Sequence, residues 1–439
     1  MKTMLTDEAL AQLVGETRVH RRVYNDPDIF DLEMARIWGT AWIFVGHDSM
    51  VPGPGDFITT TIGKQPVIMV RDTASGEVHV LANRCGHRGV KLAQRSHGTT
   101  RGFRCPYHGW SYRTNGALAG VPHPKGYDSP NAMRAEPCYQ IKQIPRVDSY
   151  RGFYFASLAE DGPPLEAFLG DTKATIDNLT DRSPEGRIEV VGKVSNRFVQ
   201  PSNWKNFVEN LVDAMHPMVA HGATGKATAA YVDTLGEDAS KPPEAEVIHP
   251  FGGSYDFFDT MGQTALPLGH NYMGGEKSIF SHYGLPDDYV DAMREAYGEE
   301  RMHDILSFNR HNTTVYPSLA VRDGVQSIRV VRPVAVDETI IETWVFRLVG
   351  APKALLDRTL LYSRLINAPG SMVGPDDLDC YYRMQRGLMS DLNDWVDFSR
   401  FAHDDQDAGH KKTGVGTSDL VFRNQYQAWL GYMTENANP

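Results

Sequence analysis

Hydrophobic and polar positions change rhythm twice along the chain. From about residue 5 to residue 48 the apolar residues fall at helical spacing. Thr6-Asp-Glu-Ala-Leu-Ala-Gln-Leu opens with a cap-like threonine followed by acids, and Pro27-Asp-Ile-Phe-Asp-Leu-Glu-Met-Ala-Arg-Ile-Trp carries an apolar stripe. The rhythm then shortens. Gly53-Pro-Gly55 leads into Phe57-Ile-Thr-Thr-Thr-Ile, Gln65-Pro-Val-Ile-Met-Val-Arg and Val78-His-Val-Leu-Ala-Asn, short β-type runs separated by Gly, Asp and Ser turns. Short strands continue to about Ser157. They predict a small all-β module over 39–157, with 1–38 as helices packing on a second domain over 158–439.

Beyond the Pro-containing stretch Glu160–Glu166, strands and helices mix. Arg187–Val194 and Asn196–Gln200 read as strands, and Asn203–Asp213 is helical in pattern. Residues 245–283, rich in Gly, aromatics and Met, predict loops and strands around a cavity. Asp287–Phe308 reads as a charged amphipathic helix. Thr313–Leu319, Gln326–Pro333 and Thr339–Leu348 follow as antiparallel strands, then Pro352–Ile366 and Asp376–Val396 as long helices. Strands followed by helices predict an α+β class, with an antiparallel sheet wrapped round a long helix.

Composition narrows the function. The chain has 439 residues, 41% hydrophobic and 23% charged, which suits two domains with a substantial core. A net charge of −11 argues against nucleic acid and against a polybasic membrane anchor. Apolar runs stay short of the ~18 residues of a membrane span, and the N-terminus lacks the apolar segment of a signal peptide. Cys85, Cys105, Cys138 and Cys380 form no disulfide framework, so a cytoplasmic location is expected.

Two ligand-rich clusters carry the chemistry. Asp213-Ala-Met-His216-Pro-Met-Val-Ala-His221 puts a carboxylate three residues before one imidazole and a second imidazole five residues after it. On a helix the first spacing shares a face. At about 100° per residue the second turns His221 about 140° away from His216. Pro217 clashes inside a helix with the carbonyl four residues back, so a kink or π-bulge there would let the imidazoles converge. Two imidazoles beside carboxylates suit a 2-His-1-carboxylate iron site; two unrelated histidines are the plainer alternative. Asp376, Asp377 and Asp379, at the start of a predicted helix, are further carboxylate candidates or simply that helix's N-terminal acids. Spacing does not choose among them and Asp213.

The second cluster is Cys85-Gly-His87 and, after seventeen residues, Cys105-Pro-Tyr-His108. Zinc accepts two Cys and two His, but zinc fingers group Cys with Cys and His with His. Here each Cys precedes its own His, as suits a Rieske [2Fe–2S] centre with thiolates on one iron and imidazoles on the other.

In this order the clusters resemble the large (α) subunit of Rieske non-haem iron aromatic-ring-hydroxylating oxygenases, from about Trp38 to about Met433. The resemblance implies a Rieske domain plus a catalytic domain of helix-grip type. It implies one [2Fe–2S] cluster on Cys85, His87, Cys105 and His108, and one mononuclear Fe(II) on His216, His221 and Asp377, with Asp376 as runner-up. Asp213 and Asn210 would be the catalytic residues, with Asn210 equally readable as an ordinary polar group of its helix. Asp213 would accept the outer N–H of His216 and bridge to His108 of the partner subunit, implying a trimer, α3 or α3β3. Trp110 would pack over the cluster loop. Phe207, Leu211 and Met215 would line a substrate cavity, or serve the core. Arg329 would pair with an anionic substrate, or be a strand-edge charge.

The implied reaction uses O2 as co-substrate to make a cis-dihydrodiol from an aromatic acid or related arene. Some relatives insert one oxygen atom or remove a methyl group instead. The chain has no Gly-x-Gly-x-x-Gly opening a βαβ unit, so NADH electrons are expected through a separate reductase, with or without a ferredoxin. The run Thr417–Met433 resembles relatives that carry a small β subunit and often take aromatic acids. A Rieske electron carrier without oxygenase activity and a zinc-stabilised binding protein are the rivals from other classes.

Overall fold

The computed structural model describes residues 5–192, 196–236, 241–275, 277–281 and 283–434. The chain forms two units, Trp38–Leu165 on the one hand and Met1–Ile37 with Glu166–Pro439 on the other.

Trp38–Leu165 is built from short antiparallel strands. Asp56–Ile62 and Gln65–Arg71 form a hairpin flanked by Val78–Ala82 and His97–Thr99. Phe103–Arg104, Ser111–Tyr112 and Leu118–Gly120 form a second sheet, and Ile43–His47, Phe153–Ser157 and Arg146–Tyr150 a third. The three longest predicted strands fall where the β-type runs placed them. Phe57, Ile68, Val70, Leu81, Phe103, Trp110 and Leu118 bury together with Cys85 and Cys105. Both thiols thus sit within an apolar core, which holds the loops that carry them.

The larger unit is a ten-stranded antiparallel sheet. Glu338–Leu348 lies beside Ser327–Ala335, followed in order by Leu319–Arg322, Asn309–Val315, Asn271–Gly275, Gln263–Ala265, Lys412–Gly414 and Gln406–Asp407. Ile188–Val190 and Asn196–Gln200 both pair with Glu338–Leu348. That strand alternates buried Thr339, Ile341, Thr343 and Val345 with partly exposed neighbours, the mark of a sheet with one packed face. The C-terminal helix Leu420–Met433 packs on Gln263–Ala265 and on the N-terminal helix Pro27–Arg36, burying Phe422, Tyr426, Trp429 and Met433. The α+β class with an antiparallel sheet stands. Among the described residues no helix is long and apolar enough to cross a membrane.

Several elements differ from expectation. Residues 5–48 are not all helical: Arg18–His20 pairs with Trp395–Asp397, and Ile43–His47 is a strand. Helix Asp287–Phe308 is broken at Gly298, whose φ of 77° is left-handed backbone, into Asp287–Tyr297 and Glu299–Ser307. The predicted helix Asp376–Val396 ends at Gly387. Thr313–Leu319 turns at Tyr316-Pro317, where proline cannot donate to the ladder. Residues 245–283 also contain the helix Tyr255–Met261. Of the strand Arg187–Val194 only Ile188–Val190 is β, and its last two residues lie outside the described ones.

The correction that matters most concerns Asp213–His221. The helix beginning at Trp204 stops at Asn210, and a separate four-residue helix begins at Pro217 with His216 as its N-cap. Pro217 does not kink a continuing helix; it occupies the first position of a new one, where its missing N–H costs nothing. Asp213 and His216 therefore share a turn, not a helix face. In that turn the Met215 N–H donates to Asp213 Oδ1 at 2.7 Å.

Candidate functional site

The two Cys-His loops have the same backbone plan. The Cys85 N–H donates to the Val90 carbonyl at 2.8 Å, and the Cys105 N–H to the Trp110 carbonyl at 2.7 Å. Gly89 and Gly109, each four residues past its cysteine, donate back to the Cys85 and Cys105 carbonyls at 3.0 Å. Both glycines have positive φ, 76° and 72°, so each loop closes tightly only because no Cβ is present. His87 and His108 come out side by side, ring centroids 4.8 Å apart. Trp110 stacks flat on His87 at 4.8 Å, as expected of a residue that packs on the loop. The Tyr112 hydroxyl lies 3.2 Å from Cys85 Sγ and accepts from the Gly86 N–H at 3.0 Å, a support that pattern reading missed.

Burial alone would raise the Cys105 thiol; the backbone N–H groups of Tyr107 and His108 bring it below its ordinary value. His108 Nδ1 is buried without a hydrogen-bond partner among the described residues. Two buried thiols, two adjacent imidazoles and an orphaned ring nitrogen fit a [2Fe–2S] cluster.

In the larger unit His216, His221 and Asp377 place one donor atom each within 4.8 Å of one another. Asp377 Oδ1 lies 3.2 Å from His221 Nε2 and 3.6 Å from His216 Nε2. The far side of each ring meets another carboxylate. Asp213 Oδ2 is 3.5 Å from His216 Nδ1, and Asp376 Oδ2 is 3.2 Å from His221 Nδ1. Metal-bound imidazoles characteristically have such a partner on the outer nitrogen, and this donor set fits a divalent iron with open positions. Asn210 Nδ2 donates to Asp377 Oδ1 at 3.3 Å and lies 3.2 Å from His216 Nε2. Burial works to raise the Asp377 carboxyl, but the His221 hydrogen bond and the charges of His216, His221 and Arg329 hold it below its usual value.

A cavity opens beside these residues. Leu211, Phe258, Met261, Ile279 and Ile366 form its apolar wall, and Asn210, His311, Arg322, Arg329 and Tyr362 its polar part. Phe207 is not among the lining residues. It lies behind them, its ring 4.3 Å from the Arg329 guanidinium carbon. Met215 does not line the cavity either. Arg322, His311 and Tyr362 were not singled out from the sequence. Only the tertiary pairing Ala320↔Arg329 and Arg322↔Ser327 shows that both arginines share one sheet face. His410 is exposed and meets Asp171 at 3.0 Å.

Comparison with known proteins agrees with this geometry. The Rieske [2Fe-2S] domain family matches residues 41–145, and the ring hydroxylating alpha subunit (catalytic domain) family matches residues 187–435. Toluate 1,2-dioxygenase subunit alpha of Pseudomonas putida is 31% identical over 434 residues, 95% of this chain and 91% of that relative. The 2-halobenzoate 1,2-dioxygenase large subunit of Burkholderia cepacia is 30% identical, covering 88% of this chain and 81% of that one. Naphthalene 1,2-dioxygenase from Rhodococcus sp. has the same fold, with a TM-score of 0.79 at 24% identity over 99% of this chain and all of that one. The chain belongs to the ring-hydroxylating dioxygenase alpha subunits, Rieske non-haem iron enzymes that use a [2Fe–2S] cluster, a mononuclear iron and O2 to hydroxylate aromatic rings.

Proposed function

We propose that this subunit acts on arene carboxylates, with Arg329 as counter-ion to the substrate's acid group. The observation that carries the reading is the state of that guanidinium. Arg329 is buried in the cavity wall and makes no hydrogen bond or ion pair among the described residues; its Nε is fully enclosed. Stacking on Phe207 occupies one face of the plane and leaves the in-plane donors unbonded. The Asp377 charge acts on Arg329 without bonding it; a buried guanidinium with unbonded donors is costly, and a bound carboxylate offsets that cost with a bidentate pair. Relatives named for toluate, 2-halobenzoate and anthranilate support the same substrate class.

In this reading His216, His221 and Asp377 hold the iron, and Cys85, Cys105, His87 and His108 hold the cluster. When bound, the cluster would supply electrons singly and the iron would supply open positions for oxygen chemistry. The protein's own part is positioning. Asp213 and Asp376 fix the orientation of the two imidazoles, and Asn210 restrains Asp377. The apolar wall holds the ring and excludes water, while Arg329 anchors the acid end. Asp213 would also join His216 to His108 of the partner subunit, in a ring of three copies with or without a small β subunit. A reductase, alone or through a ferredoxin, delivers electrons from NADH.

A turnover screen of holoenzyme with a reductase tests the substrate class, reading products by mass. Benzoate and methylbenzoates should give dihydroxylated products, while benzene and toluene give little. Arg329→Gln should lower kcat/KM for the acids on the order of 100-fold, as expected for loss of one partner of a buried ion pair. Equal turnover of neutral arenes, or an unaffected Arg329→Gln enzyme, would sink the reading.

A further inference from the structure

The cavity contains a second cation that one carboxylate does not account for. Arg322 ends the strand Leu319–Arg322 and Arg329 lies on Ser327–Ala335. Since Ala320 faces Arg329 and Arg322 faces Ser327, the two arginines are diagonal neighbours on one face of the sheet. Arg322 is held by neutral acceptors. Its Nε donates to Asn312 Oδ1, and one terminal nitrogen donates to Asn367 Oδ1 at 2.8 Å. These bonds fix the guanidinium without cancelling its charge. Asp323, next in sequence, pairs with Arg182 at 3.8 Å. Among the described residues neither Arg322 nor Arg329 forms an ion pair.

Two further polar atoms at the Arg322 end are unsatisfied. Among the described residues Tyr362 Oη and His311 Nδ1 are buried with no hydrogen-bond partner, and both residues line the cavity. The Arg322 guanidinium carbon lies 5.7 Å from the centre of the Tyr362 ring, and Phe280 packs between Tyr362 and His311, with ring centroids at 5.7 Å and 5.0 Å. Buried polar atoms nearly always find partners in the folded protein, water or a ligand. Two like charges on one buried face, next to orphaned donors, are stable when an anion sits among them. Burial first, and the neighbouring Arg322 second, lower Arg329 to about 10.

We propose that Arg322, Tyr362 and His311 form a second anion pole, and that the substrate is an arene with two acidic groups, a dicarboxylate. One carboxylate meets Arg329 and the other meets the Arg322 pole, so the ring is held at both ends across the apolar wall. The inference rests on the arene-carboxylate reading and narrows it.

Equilibrium binding to the oxidised holoenzyme tests it, with benzoate, phthalate, isophthalate and terephthalate as probes. At least one dicarboxylate should bind tenfold or more tightly than benzoate. In Arg322→Met that margin should fall below threefold, and Arg322→Lys should restore part of it. Unfolding midpoints and the cluster's visible spectrum show that the variants are intact, and the wild-type comparison stands without them. Benzoate binding as tightly as all three dicarboxylates overturns the second pole while leaving Arg329 and the carboxylate reading in place. If none of the four acids binds and neutral arenes do, the carboxylate reading itself fails, and the second pole with it.

Discussion

Asp376 and Asp377 face opposite nitrogens of one imidazole: Asp376 Oδ2 lies 3.2 Å from His221 Nδ1, and Asp377 Oδ1 lies 3.2 Å from His221 Nε2. Two adjacent acids at one helix start thus have separable tasks. Only Asp377 also reaches His216, at 3.6 Å.

That separation makes a prediction about metal content. Asp377→Ala should abolish mononuclear iron and turnover with the cluster's visible spectrum intact. Asp376→Asn should keep a weaker site, with iron affinity down about 10- to 100-fold, the usual effect of losing an outer-nitrogen partner. Iron analysis against spectral cluster content checks both. The assignment is reversed if Asp376→Asn strips the iron and Asp377→Ala does not.

His216→Ala should remove mononuclear iron in the same way as Asp377→Ala. Asp213→Ala differs in kind. Its carboxylate sits 3.5 Å from the outer nitrogen of His216 and does not join the three converging donors. Both metals should largely remain, while a chemically reduced cluster should stay reduced on mixing with substrate and oxygen. Normal re-oxidation coupled to product would remove the bridging role.

Stability depends on a buried carboxylate far from the reaction. Glu33 Oε1 accepts from Lys205 Nζ at 2.6 Å and Trp429 Nε1 at 2.7 Å, and Oε2 accepts from Trp204 Nε1 at 2.9 Å. It ties the N-terminal helix to the helix before the histidines and to the C-terminal helix. Glu33→Ala leaves Lys205 buried and unpaired, and should destabilise the larger unit by about 3–5 kcal/mol. Pairing Glu33→Met with Lys205→Met should recover part of that loss. Denaturant midpoints of single and double variants supply the test; additive losses would contradict the coupling.

Acid sensitivity should trace in part to His270. Burial holds its imidazole down at about 4 against an ordinary 6.5, and its bond to the Phe168 carbonyl opposes this only partly. Between those values the unfolded chain binds the proton and the folded one does not. Stability from this group is complete above about 6.5 and falls as pH drops toward 4. At pH 5 the loss is about 2 kcal/mol. His270→Gln should be less stable at pH 7.5 but lose less on going to pH 5. Parallel pH dependence in wild type and variant would assign the effect elsewhere.

The Rieske loops were legible in the chain because their ligands are local. Each Cys and His lie two or three residues apart, and the glycine that closes each loop is four residues past its cysteine. The strands of that unit were legible for a similar reason: runs of Ile, Val, Thr and Met bounded by turn residues mark each strand locally, although Val67, Ile68, Met69 and Val70 are all buried and no face is read from them. The helix over Asp213–His221 was misjudged at the same range, because Pro217 can kink a helix or begin one, and local pattern does not distinguish the two.

The residue types at the candidate iron site, and the pairing of a one-electron cluster with an open-sided iron, were legible in the sequence alone, since donor chemistry belongs to the side chain. Which acid meets which nitrogen was decided only by the fold: Asp376 and Asp377 stand some 155 residues beyond His221, and only docking of the helix they begin orients them. The same holds for Arg322 and Arg329, whose shared face follows from strand register. An arginine's charge is written in the chain, but whether that charge has a partner is a property of packing.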